Sequence, residues 1–177
     1  PRAHLHLRKA HEAAGIFRES RCSSVNLKIS FSWIGLVVFA LPMLISLVYA
    51  AFPPAGEPQP PAPVTRWVEI VEQASRIAYL LAVTFLVSRT PVSVRSTWFF
   101  LAGAFLLLYY AVWIRYFVFG RDVALLERMF LFVPMPLAVF PVLYFLCAAL
   151  WLHNVPAAVL MVIFGATHLT VSLQSFQ

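Results

Sequence analysis

Arg66-Trp67-Val68-Glu69-Ile70-Val71-Glu72-Gln73-Ala74-Ser75-Arg76 runs without a break into Ile77-Ala78-Tyr79-Leu80-Leu81-Ala82-Val83-Thr84-Phe85-Leu86-Val87-Ser88. Of the membrane-length segments, this one alone carries charge well inside its boundary. At about 100° per residue, Glu69, Glu72, Gln73 and Arg76 fall within one arc of roughly 100° on a helix. The same face continues as Leu80, Val83, Thr84 and Val87, so a polar stripe enters from one end and stops near the middle. Charge inside a bilayer is costly and generally faces protein or water, which marks this stripe as the first place to look for function.

The rest of the chain supplies the bilayer. Apolar residues make up 62% of the 177 and charged residues 11%, with a mean hydropathy of +0.84. That composition excludes an ordinary soluble domain. The length suits four or five spans of about 20 residues, so the expected fold is an all-α bundle of five transmembrane helices (four being possible) with no soluble domain. The spans are expected at about 31–52, 66–88, 97–119, 129–151 and 156–173. The first is too long for a signal peptide and has no small-residue cleavage motif after it, so it reads as an uncleaved anchor.

Between the first two spans, residues 53–63 hold Pro53, Pro54, Pro58, Pro60, Pro61 and Pro63, a stiff extended connector outside the bilayer. Thr65 follows at an N-cap position, with Glu69 near the positive end of the next helix. Arg89 to Arg95 is a short basic loop. The third span ends in Tyr109, Tyr110, Trp113, Tyr116 and Phe117, read by default as an aromatic belt at the membrane interface. Pro134, Pro136 and Pro141 blur the start of the fourth span. Either its helix begins at Pro134, with 122–133 lying in the interface, or it begins near 129 and is broken. Pro134, Ala138, Pro141 and Phe145 would share a face. Leu152-His153-Asn154-Val155 is a tight polar turn.

Net charge is +6, and residues 1–28 hold six of the thirteen Lys and Arg residues. Residues 1–24 read as a polar basic tail, either disordered or forming a short surface helix around Lys9–Phe17. A valine start at Val25-Asn26-Leu27-Lys28 would leave them outside the native protein. The basic excess suits anionic lipid at the cytoplasmic face of a bacterial inner membrane, and no aromatic-interleaved basic patch points to nucleic acid. N-terminus inside and C-terminus outside follows. Without residues 1–24 the charges on the two sides nearly tie. Cys22 and Cys147 lie on unlike segments, which excludes a disulfide or metal site built on them.

This orientation places Glu69, Glu72 and Arg76 roughly 5, 9 and 15 Å below the outer end of their span. Arg115 lies about 6 Å and His168 about 8 Å below the outer ends of theirs, His168 sharing a face with Met161, Phe164, Gly165 and Ser172. Glu69, Glu72, Gln73, Arg76, Tyr110, Arg115 and His168 are therefore the candidates for a one-sided polar layer. Its residues either pair as glue between helices (Glu72 with Arg76, Glu69 with Arg115) or line a pocket for lipid or a small amphipathic solute. The protein then either binds or moves such a solute, or supports a membrane partner or homo-oligomer by lateral contacts. No catalytic residue, cofactor or metal ion is expected.

Trp113-Ile114-Arg115-Tyr116-Phe117 with Gly120-Arg121, then Pro134-Met135-Pro136-Leu137 and Phe164-Gly165-Ala166-Thr167-His168, resembles a group of small bacterial five-helix membrane proteins across residues 25–175. The resemblance implies that architecture and no activity. Glu72-x-x-x-Arg76 and Phe164-x-x-x-His168 also resemble, in spacing, motifs of the intramembrane CAAX-type metalloproteases, which implies metal-dependent hydrolysis as an alternative. Here Val71 stands where that family has its first Glu, no later His follows, and one Glu with one His is a poor zinc site.

Overall fold

The computed structural model describes residues 27–54 and 65–175. The order is β1 (Leu27–Ile29), α1 (Trp33–Ala51), α2 (Arg66–Phe85), β2 (Leu86–Ser88), α3 (Thr97–Val118), α4 (Ala124–Glu127), α5 (Pro136–Trp151) and α6 (Val155–Ser175). The chain is mostly helical, and among the described residues three helices, α1, α3 and α6, are long and apolar enough to cross a membrane. The other two expected spans differ for separate reasons. Helix α2 has the length, but Arg66, Glu69, Glu72 and Arg76 crowd its first eleven residues. Helix α5 is apolar but has only 16 residues, about 24 Å against a hydrocarbon core of about 30 Å.

The late start of α5, at Pro136 rather than near residue 129, is local chemistry. Pro136 occupies the first helical position, where its missing N–H is no loss. Ahead of it, Phe130 and Val133 exchange backbone hydrogen bonds in a tight turn. Leu131, Phe132 and Met135 all have positive φ.

A short antiparallel pair is an addition to the expected all-helical bundle. β1 and β2 pair Leu27 with Ser88 and Ile29 with Leu86. The contact continues as Ser30 N–H to Phe85 O at 2.9 Å and Ser32 N–H to Thr84 O at 2.8 Å. The Ser32 hydroxyl accepts from Gly35 N–H at 3.0 Å and so caps α1. Here α1 and α2 touch backbone to backbone: a Cβ on Gly35 would lie 2.0 Å from Val83 O, so only glycine fits. Thr65 precedes α2, but its side chain makes no cap hydrogen bond.

Asn154 explains why α2 stops at Phe85 instead of reaching Ser88. Its side-chain amide donates to Ala82 O at 2.9 Å and Leu86 O at 2.7 Å, while its oxygen accepts from Ala157 N–H at 3.1 Å. One buried side chain thus closes the end of α2 and opens α6.

Two tyrosines act similarly on α1. Pro42 has no N–H, which deprives Val38 O of its helical donor. Tyr144 of α5 donates its hydroxyl to Val38 O at 2.7 Å, and Tyr110 of α3 donates to Leu41 O at 2.6 Å. The aromatic run of α3 is consequently core and not an interfacial belt. Tyr109, Trp113 and Tyr116 are buried because their face, at i, i+4 and i+7, turns toward α1 and α5. The exposed surface is carried instead by residues such as Leu47, Leu107 and Val118, as a lipid-facing surface requires.

Asn154→Ala removes two donors and an acceptor from buried carbonyls and an N–H. Ala82 O keeps the Leu86 N–H, so Leu86 O and the Ala157 N–H are left unpaired, which should lower stability in detergent by about 3 kcal/mol, at 1–3 kcal/mol for each. Asn154→Asp should do no better, because it sets carboxylate oxygens against two carbonyls. A melting temperature for Asn154→Asp close to that of the unaltered chain would show that the cap on Ala157 alone matters.

Candidate functional site

Helix α2 packs along α6, and Glu72, Ser75, Tyr79, Ala82 and Val83 are buried on its inner face. This spacing follows the helical period, so the buried face is one edge of the polar stripe and not its centre. The Ser75 hydroxyl donates back to Val71 O at 2.7 Å and lies 3.0 Å from Glu72 O. It therefore presents no unpaired donor to α6. Further along, the Tyr79 hydroxyl donates to Phe145 O at 2.8 Å and ties α2 to α5.

Glu72 is 5% exposed. Its Oε1 accepts from an Arg76 Nη2–H at 2.9 Å, and His168 Nδ1 lies 2.9 Å from the same oxygen. A carboxylate only accepts, so Nδ1 carries the hydrogen and Nε2 is left as the free ring nitrogen. Phe164, one turn before His168, stacks on the imidazole at 5.0 Å with 14° between planes. The Arg76 guanidinium lies 5.4 Å from the centroid of the same ring. The two basic side chains therefore share one carboxylate and one aromatic platform.

Beside them lies a cavity of about 500 Å³, within the roughly 300–1,000 Å³ of small-molecule sites. Arg76 and His168 line its polar end, and Glu72 stands behind them outside the wall. The remaining wall is mostly apolar and soft, with Ser46 and Ser172 as further polar residues. Met43, Met135 and Met161 reach it from three different parts of the chain, with Tyr109 and Trp113 opposite α6. Methionine walls adapt to varied apolar shapes.

The structure brings together Glu72, Arg76 and His168 from the expected polar layer. Glu69 and Gln73 are exposed on the flank of α2. Tyr110 is engaged with the α1 backbone. Arg115 does not meet Glu69. It donates to Leu125 O, and to Arg128 O at 3.1 Å, with its guanidinium 5.2 Å from the centroid of Phe130. Of the residues expected to share a face in the fourth span, Ala138, Pro141 and Phe145 line the cavity. Met161, expected on the face of His168, lines it too, whereas Tyr79, Tyr109, Met43 and Met135 were not anticipated there. For Tyr79 a signal existed, since it lies seven residues after Glu72 on the same face.

Glu72 and His168 are the two metal-ligand types at this site. Among the described residues no group of three or more His, Cys, Asp or Glu side chains could hold a metal ion. The third ligand implied by the resemblance to CAAX-type metalloproteases is thus not supplied. Comparison with protein-family models, curated proteins and solved structures found no match.

Glu72→Gln keeps the size of the side chain but removes the charge facing Arg76 and one of the shared acceptor sites. It should lower stability by about 1–2 kcal/mol, between the roughly 0.6 kcal/mol typical of polar contacts in membrane bundles and the 3–5 kcal/mol of a broken buried pair. Arg76 is 43% exposed in its side chain, which keeps the loss toward the lower figure. The double change with Arg76→Gln should recover part of it. A double variant less stable than either single one would show that the two side chains do not act as a pair.

Proposed function

We propose that this is a five-helix integral protein of the bacterial inner membrane that binds a small amphipathic solute or lipid in the cavity beside Glu72. The observation that carries the reading is the mixed lining of that cavity, where Arg76 and His168, with Ser172 one turn further along α6, meet walls that are mostly methionine and aromatic. A structural subunit would fill this space. Here it stays open, and Arg76, which meets Glu72 through Nη2, lines it.

In this reading α2 and α5 complete five crossings, with the N-terminus inside and the C-terminus outside. Support comes from α2 turning Glu72 inward against α6, which keeps a carboxylate out of the lipid. Support for α5 comes from the apolar run before it, where Met129, Leu131 and Phe132 are exposed and lengthen the apolar segment. Cysteine scanning in a chain with both native cysteines replaced by Ala tests the count. Cysteines at Val94 and Val155 should react with an impermeant reagent only from inside, and one at Asp122 only from outside. Reaction at Val155 from outside would remove α5 as a crossing.

Binding is tested by thermal unfolding with added single-chain amphiphiles. A ligand at about 100 times its Kd stabilises by roughly 2.7 kcal/mol. Ala138→Phe, which fills the cavity wall, should abolish that stabilisation. Equal stabilisation of both chains would place the binding elsewhere.

A further inference from the structure

The reading of the cavity as a binding site leaves open what its polar end holds, and the inference here rests on that reading. Three features constrain the head of the ligand. First, Glu72 does not line the cavity, whereas the two side chains it holds do. The buried carboxylate therefore positions them and does not meet the ligand. Second, Glu72 takes the Nδ1–H of His168, which in the neutral ring leaves Nε2 as a lone-pair acceptor. Arg76 uses Nη2 on Glu72 and has further N–H donors in its planar fork. Both groups hang on one oxygen atom, so one head of a few atoms spans them. Third, Glu72 and Arg76 cancel in charge when His168 is neutral. A ligand that brings net charge would leave that balance uncompensated.

We propose that the polar end of the cavity is a receptor for the carboxylic acid head of a single-chain amphiphile. A carboxylic acid is neutral and carries a donor and an acceptor on adjacent atoms. Its O–H meets His168 Nε2 and its carbonyl oxygen meets the Arg76 fork. If the proton passes from the acid oxygen to Nε2, the O–H bond breaks and an N–H bond forms. The total charge is unchanged and no other group takes part. The resulting carboxylate then faces an imidazolium and a guanidinium, the arrangement with the strongest hydrogen bonds. An ester offers only acceptors to this pair, leaving Nε2 without a donor. An amine would set a cation beside Arg76. The tail has no comparable polar partner on Met43, Met135 and Met161, so a hydrocarbon chain suits the rest of the space.

The test is saturable binding of radiolabelled hexadecanoic acid to the full chain in nanodiscs of zwitterionic lipid, with empty nanodiscs subtracted. Hexadecanol and the methyl ester serve as competitors. The acid should bind about tenfold more tightly than either, the factor expected for a hydrogen bond to a charged group. Arg76→Gln and His168→Phe should each lower acid affinity by a similar factor and leave competition by the ester unchanged. The head-group comparison uses the unaltered chain, so it remains decisive if either variant fails to fold. Equal binding of acid, alcohol and ester would overturn the carboxylic acid assignment while the cavity stands as a site. Acid preference retained in both variants would overturn it too, by placing the head elsewhere. No saturable binding of any of the three, with no stabilisation by added amphiphiles, would remove the cavity reading itself.

Discussion

A backbone polar group facing hydrocarbon has no water to turn to, so each must be paired within the protein. Most of the architecture around the cavity follows from how this chain meets that demand where its helices are interrupted. Pro42 leaves a carbonyl open in α1, and Tyr144 closes it from α5. The end of α2 leaves the Leu86 carbonyl open, and Asn154 closes it, adds a second donor to Ala82 O and caps α6. The extended residues before α1 pair with β2 and with the last turn of α2. Each repair joins helices distant in sequence, so the same hydrogen bonds that satisfy the backbone also set helix positions.

The site inherits its geometry from those positions. With the end of α2 held at Asn154 and α1 pressed against Val83 by Gly35, the rotation of α2 is determined, and Glu72 points at α6. On α6, Gly165 lets α5 approach: a Cβ there would fall 2.7 Å from Val142 Cγ1. His168, three residues on, then reaches the carboxylate. Burying Glu72 is unfavourable by itself, and two N–H partners on one oxygen offset part of that. What the arrangement contributes is position. Arg76 and His168 are long or rotatable side chains, and the carboxylate holds both at the cavity wall.

Much of the helical layout was legible in composition and period. Apolar runs of membrane length mark α1, α3 and α6, and the charged stripe marks α2 as the helix with a functional face. The depth match between Glu72, Arg76 and His168 was also visible, because it needs only helix rise and chain direction. Three things were not legible. Which edge of a stripe turns inward depends on the neighbour, so Glu69 and Gln73 could not be told from Glu72. An aromatic run reads the same whether it sits at an interface or in a core, and Tyr109, Trp113 and Tyr116 are core because α1 and α5 cover them. The end of α2 depends on Asn154, 72 residues beyond Ala82, a separation that no local pattern reports.

Arg115 shows the same limit from the opposite side. Its depth matches that of Glu69, and a guanidinium within a membrane helix suggests a carboxylate partner. The structure gives it carbonyls instead. Helix α4 is a single turn, and its final carbonyls carry the negative end of the peptide dipoles. Leu125 O and Arg128 O point toward α3, and Arg115 pairs with them. Those bonds hold the segment after α4, where Leu131, Phe132 and Met135 take positive φ. Non-glycine residues in that region are strained by about 1–3 kcal/mol each and persist only where the surroundings impose them. The Phe130–Val133 turn and the Arg115 guanidinium over Phe130 supply that restraint. Met135 is thereby delivered to the cavity wall from a loop and not from a helix. A cation that satisfied a carboxylate across the bundle could not have done this, because carboxylates hold side chains, whereas carbonyls hold the backbone.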